Sequence, residues 1–257
     1  MKIAVSGKGG VGKTTLAGAL ARLYASAGRT VLAVDADPDC NLASAVGLPP
    51  EQAELIKPLA DEADLIEART GARPGSSGGI FALNPKVDDL ADRYGVIHAG
   101  VRLLVMGKAK GAGSGCYCPE NSLIRRLLAH LVVRADEVVI LDMEAGIEHL
   151  TRGTGRHVDA FLVVVEPGQR SLQTARQVLE LAHGLGIQKV WLVGNKVRSA
   201  EDERFITDGL PQIPLLGFIP YAADVVAADL AGSSPFDTAP ALMKAVRQIK
   251  GKLDERF

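Results

Sequence analysis

The chain has 257 residues, 47% of them hydrophobic, 23% charged and only 4% aromatic, with a formal net charge of -1. That supply of apolar residues suits one large core; it excludes collagen-like and disordered chains and gives no broad electrostatic pull toward nucleic acid or anionic lipid. Three cysteines, two of them at 116 and 118, make no secreted disulfide framework and point to metal or redox chemistry in a reducing compartment.

The first residues, Met1 to Ser6, run directly into a glycine-rich loop and leave no room for a signal peptide. No apolar run nears the ~20 residues of a membrane span. The expectation is a cytoplasmic protein that works on neither membrane nor nucleic acid. Apolar runs at 2–6, 30–34, 137–142, 160–165 and 188–194 lack strict polar alternation, as strands covered on both faces do. Residues 14–27, 168–185, 200–209 and 238–255 carry apolar positions at helical spacing. The alternation predicts an α/β fold of three layers, a mostly parallel, doubly wound sheet flanked by helices, in one domain over 1–257. Residues 49–70 read as an acidic helical insert, and Gly71–Gly79 and Gly107–Gly115 as loops.

Between the first strand and first helix lies Gly7-Lys8-Gly9-Gly10-Val11-Gly12-Lys13-Thr14, followed by Thr15. This is a Walker A loop in its required context. Its glycines let backbone N–H groups curl around the phosphates of ATP or ADP, the helix start adds its positive dipole end, Lys13 reaches the outer phosphates, and the Thr14 hydroxyl can ligate Mg²⁺. The second strand ends in Asp35-Ala-Asp37-Pro-Asp39, where Asp37 or Asp39 serves the nucleotide or merely caps the next helix. Glu137 to Asp142 is a buried strand ending in an acid, which fits a Walker B carboxylate near Mg²⁺ and also fits a strand-end turn residue. Gly146 stands where a γ-phosphate switch would need backbone freedom, beside Glu144, and His149 reads as a structural hydrogen-bonding residue.

Lys8 followed by Thr14-Thr15 resembles the deviant Walker A group that includes the nitrogenase iron protein and the MinD/ParA ATPases. The resemblance implies a homodimer in which Lys8 reaches across to the partner's nucleotide, and hydrolysis in which Lys8, Lys13, Asp37 and Asp142 take part, Asp37 polarising the attacking water. It also implies that Asn195 and Lys196 lie at the adenine, with Pro220 and the following loop closing over the base.

Cys116-Tyr-Cys118-Pro follows the second glycine-rich loop. Residues two apart on an extended segment project to one side, so both thiolates can face one soft metal ion, Ni²⁺ or Zn²⁺. Two sulfurs leave such an ion under-coordinated; a two-fold axis at the loop supplies four. Cys40 reads as a packing residue. Gly7–Thr15, Asn84–Asp88, Cys116–Ser122, Gly146–Thr154 and Asn195–Arg198 together resemble the CooC family of nickel-insertion accessory ATPases, which implies carbon monoxide dehydrogenase or acetyl-CoA synthase as the client. Two other readings stay open: a MinD/ParA-like positioning switch whose C-terminal segment, Pro240 to Phe257, attaches to a surface, and a reductase resembling the nitrogenase iron protein, with an iron–sulfur cluster at the dimer axis.

Overall fold

The computed structural model describes residues 1–75, 81–107, 118–134, 137–145, 150 and 157–257. Among them eight strands form one sheet: β1 (Lys2–Gly7), β2 (Val31–Ala36), β3 (Val96–His98), β4 (Val101–Val105), β5 (Val138–Met143), β6 (Ala160–Val165), β7 (Val190–Val197) and β8 (Leu215–Pro220). The spatial order is β3-β4-β2-β5-β1-β6-β7-β8, parallel throughout except for the β3–β4 pair.

The missing polar alternation has its cause in the packing. Ile3, Val5, Ala33 and Ile140 face a core completed by Leu16 and Leu20 of α1 (Lys13–Ser26) and by Leu242, Val246 and Ile249 of the C-terminal helix (Pro240–Asp254). Their neighbours Ala4, Leu32, Val34 and Leu141 face the opposite core. There they meet helices at Ala63–Thr70, Pro119–Arg134 and Gln169–Gly184. Successive strand residues point to opposite faces, so a sheet covered twice needs apolar residues at every position. The expected three-layer, mostly parallel architecture is the one observed.

Among the described residues the helices in chain order are α1, α2 (Leu42–Val46), α3 (Pro50–Ala53), α4 (Ala63–Thr70), α5 (Leu90–Tyr94), α6 (Pro119–Arg134), α7 (Gln169–Gly184), α8 (Ala200–Gly209), α9 (Ala223–Leu230), α10 (Pro235–Thr238) and α11 (Pro240–Asp254). The acidic stretch 49–70 is not one helix: α3, a 3₁₀ turn at Leu59–Asp61 and α4 divide it, and prolines stand before the first two pieces at Pro49 and Pro58. Gly107 is described with a left-handed φ of 73°, whereas 108–115 and 76–79 of the two expected loops lie outside the described residues.

The chain first builds the β2 and β4 side of β1, returns through β5, and then adds β6, β7 and β8 on the other side. β1 therefore sits at the switch point of the winding, where the crevice beyond the strand ends is widest. No helix among the described residues is long and apolar enough to cross a membrane. The apolar face of α11 is buried, Leu242, Val246, Ile249 and Leu253 lying against β8 and α1.

Candidate nucleotide site

The loop after β1 owes its path to close backbone approach. Gly12, the residue before α1, has a φ of +93°, and a Cβ there would lie 2.3 Å from Asn195 Nδ2. That amide donates to the Val11 carbonyl at 2.7 Å while Asn195 Oδ1 accepts from the Lys196 N–H at 2.8 Å. The bracket fastens the end of β7 to the middle of the loop, two strands away. Val11 is fully buried beneath it. Gly9 and Gly10 line the open side of the loop, where a Cβ on either would meet nothing within 4 Å.

That cleft has a volume of about 540 Å³. Gly9, Gly10, Gly12, Lys13, Thr14 and Thr15 form its floor, Asp37 and Asp39 one side, and Lys196 with Val225, Val226 and Asp229 of α9 the other. The volume falls within the usual range for a small-molecule site. Lys13 Nζ lies 3.4 Å from Asp37 Oδ2, both side chains largely covered. Asp37 Oδ1 accepts from the Asp39 N–H at 3.1 Å. Neither Asp37 nor Asp39 caps α2; the Leu42 N–H at its start donates to Asp35 Oδ2 at 2.8 Å. Asp35, whose role is not legible from its place in the sequence, thus holds both ends of this segment, since its Oδ1 also accepts from the Asp37 N–H at 3.2 Å.

Asp35 and Asp142 face each other across the β2–β5 rung, both fully buried. Burial pushes the Asp35 carboxyl up to about 7, against the two backbone donors, with the Asp142 charge adding to the rise. Burial likewise lifts Asp142 to about 6; the Thr14 hydroxyl and the Lys13 ammonium oppose the rise. Neither Asp142 oxygen is satisfied by a hydrogen bond of good geometry, although the Thr14 hydroxyl stands near enough to favour the ionised form. A wholly buried carboxylate with spare acceptor capacity, beside a hydroxyl at the head of a phosphate-binding helix, fits Mg²⁺, which takes oxygen donors and keeps water. Thr14 and Asp142 are the residues that would hold it.

The remaining predicted positions fall as follows. Lys8 does not line the cleft; its Nζ lies 3.8 Å from Glu166 Oε1. Lys196 reaches the Gly10 carbonyl at 2.6 Å and Glu166 Oε2 at 3.0 Å. Asn195 uses its amide to bracket the loop, and Pro220, exposed at the end of β8, is not one of the residues lining the cleft. Cys118 is half-buried at the head of α6, its carbonyl accepting from the Ser122 N–H at 3.0 Å. Cys116, Gly146 and His149 lie outside the described residues. Among those described, no group of three or more His, Cys, Asp or Glu gathers as a metal site. Cys40 sits at a left-handed φ of 51° with its thiol pushed up to about 11, chiefly by burial. The Glu144 carbonyl accepts from the Ser6 hydroxyl at 2.9 Å, tying the end of β5 to the end of β1.

Comparison with known proteins agrees with this geometry. Residues 2–236 match the family described as CobQ/CobB/MinD/ParA nucleotide binding domain. The chain is 48% identical over 256 residues to the carbon monoxide dehydrogenase accessory protein CooC of Rhodospirillum rubrum, covering 100% of this chain and 97% of that protein. It is also 48% identical over 235 residues to an uncharacterized ATP-binding protein of Methanocaldococcus jannaschii, covering 90% of each. Among solved structures, a plasmid partition protein of Borrelia burgdorferi bound to AMPPNP superposes with a TM-score of 0.69 at 15% identity, covering 100% of this chain and 99% of that one. A ParA family ATPase of Chlorobium tepidum gives 0.68 at 21% identity, covering 98% of each. At these identities the two structures establish the fold alone.

Proposed function

Because the chain belongs to the CobQ/CobB/MinD/ParA nucleotide-binding family and is an ATPase, we propose that it is a single-domain accessory ATPase that inserts nickel into carbon monoxide dehydrogenase or acetyl-CoA synthase. The observation that carries this reading is the near-half identity to a carbon monoxide dehydrogenase accessory protein from one end of the chain to the other. In this reading it works in the cytoplasm as a homodimer.

The chemistry follows from the residues already described. The triphosphate lies on the Gly9–Gly12 edge, and Lys13 exchanges Asp37 for the outer phosphate oxygens. An ammonium so placed stabilises the charge that develops on the transferred phosphoryl group. Asp37, freed from Lys13, then orients the attacking water and accepts its proton. A bound Mg²⁺ supplies further neutralisation of phosphate charge at Thr14 and Asp142. Lys8 of the second subunit completes the charge from the opposite side.

Nickel is the cargo, held as four thiolates when Cys116 and Cys118 of each subunit meet on the two-fold axis. Thiolates suit a soft or borderline ion, and Zn²⁺ would compete for the same donors. A titration of the purified protein with Ni²⁺ should reach one ion per two chains, and the Cys116→Ser/Cys118→Ser protein should bind none while still binding Mg-ATP. Stoichiometric nickel binding by the double Ser protein would overturn the site.

The two alternatives are less well supported. A surface-attaching switch needs a free apolar face on α11, and that face is occupied within the fold. A reductase resembling the nitrogenase iron protein would use two cysteines far apart in sequence, one on each of two loops, and this chain offers the CxC pair plus Cys40.

A further inference from the structure

Lys13 lines the cleft, whereas Lys8, the second lysine of the loop, stands outside it. Gly7 pairs in register with Val164 of β6, and two residues beyond that rung the chain turns away at Glu166. The Glu166 N–H donates to the Ser171 hydroxyl at 3.1 Å, which fixes the backbone where the side chain leaves. Its carboxylate stands between two ammonium groups, Lys196 at 3.0 Å and Lys8 at 3.8 Å.

The two lysines are held unequally. Lys196 has a second acceptor in the Gly10 carbonyl, and its backbone is locked in the left-handed region at φ 57° by the Asn195 bracket. Lys8 has the longer contact, and among the described residues Glu166 is its one charged partner. When Lys8 departs, Glu166 keeps Lys196, so no unpaired charge is left behind. Side-chain exposures of 26% for Glu166 and 37% for Lys8 make this a weak, solvent-screened pair. A lysine that must change partners needs such a hold: a strong one would compete with the second subunit.

We propose that Glu166 is a positioning residue that parks Lys8 against its own subunit, and that Lys8 leaves it to enter the nucleotide site of a second copy of this chain. The second half rests on the homodimer reading given above; the first half does not.

The test separates them. Lysine acetylation followed site by site by mass spectrometry, on dilute protein without nucleotide, reads the hold directly. Glu166→Gln should label Lys8 about threefold faster than the parent protein, with Lys196 changed less because it retains the Gly10 carbonyl. Equal Lys8 rates in the two proteins would overturn the proposal whatever the oligomeric state. With Mg-AMPPNP, Glu166→Gln should dimerise at about threefold lower protein concentration than the parent, with unchanged AMPPNP affinity in the dilute protein, and the difference should shrink at 0.5 M salt. A carboxylate that merely braces the loop predicts the opposite sign, weaker nucleotide binding and weaker dimerisation together, and that result would refute parking. Faster Lys8 labelling with no dimer in either protein would leave the hold standing and remove the transfer along with the homodimer reading.

Discussion

Asp142→Asn offers a perturbation whose effect on stability and whose effect on activity run in opposite directions. Its carboxylate is fully buried between β1 and β2, without a well-made hydrogen bond, and burial lifts it from 3.8 to about 6. A carboxyl raised in the folded state contributes all its stability below the unfolded value and loses it as pH rises through the folded one. At pH 8 the full separation applies, about 3 kcal/mol at 1.36 kcal/mol per unit; at pH 5 roughly half of it does. Asparagine removes the buried charge at nearly constant volume, but its own amide goes unpartnered, which returns about 1 kcal/mol. The nucleotide-free, Mg²⁺-free variant should therefore be more stable than the parent by about 2 kcal/mol at pH 8, a Tm rise of about 4–8 °C for a chain of this size, and by under about 1 kcal/mol at pH 5. Scanning calorimetry at the two pH values measures this, and Mg-ATP hydrolysis by the same variant should fall by about a hundredfold or more, since the metal loses its buried carboxylate. A variant less stable than the parent at pH 8, or one with the same gain at both pH values, would refute the reading of Asp142 as a charge buried to receive a cation.

Gly12→Ala should lose roughly 3 kcal/mol, because the left-handed backbone costs about 1–2 kcal/mol and the new Cβ displaces the buried Asn195 amide from the Val11 carbonyl. Gly9→Ala, whose Cβ would meet nothing within 4 Å, should unfold within about 1 kcal/mol of the parent while binding ATP less well; thermal melts and nucleotide titration of both variants provide the comparison. Lys13→Ala should abolish tight ATP binding and leave Ni²⁺ binding intact, measured by calorimetric titration of each ligand. Asp35→Asn removes a charge penalty of about 4 kcal/mol at pH 8, set by the rise from 3.8 to about 7, and gives up one of two backbone N–H bonds at about 1–3 kcal/mol, so its stability relative to the parent should be clearly greater at pH 8 than at pH 5; melts at the two pH values show the sign.

The parts of the fold legible in the sequence are those where one local signal dominates. β1, β5 and β6 are apolar at nearly every position because both faces of the sheet are covered, and α1 begins where Gly12 ends the loop. β3 and β4 went unread because they form a short hairpin at the sheet edge, turning at Ala99 and Gly100, both at positive φ, with Ile97 exposed. β8 is hard to read because its half-buried pattern is weak, and α6 because its first residues, Pro119 and Glu120, run straight on from the cysteine motif. At the site, Lys13 and Thr14 are legible by spacing, since the Walker A pattern prescribes them, whereas Asp37 rests on the family resemblance and Asp142 on its place at the end of a buried strand. Asp35 and Glu166 are not legible in this way, for their roles depend on partners that only folding supplies: the Leu42 N–H at a helix start for one, and two lysines from separate loops for the other. Glu166 nonetheless carried a clue, an acid closing an apolar strand just as Asp142 does.

The proposed coupling of nucleotide to metal requires two chains to meet on one surface, and the mass of the protein in solution tests that requirement most directly. Sedimentation equilibrium with saturating Mg-AMPPNP and Ni²⁺ together should give twice the 27.0 kDa chain mass with one nickel per pair. A mass of one chain under the same conditions, with both ligands bound, would contradict the account.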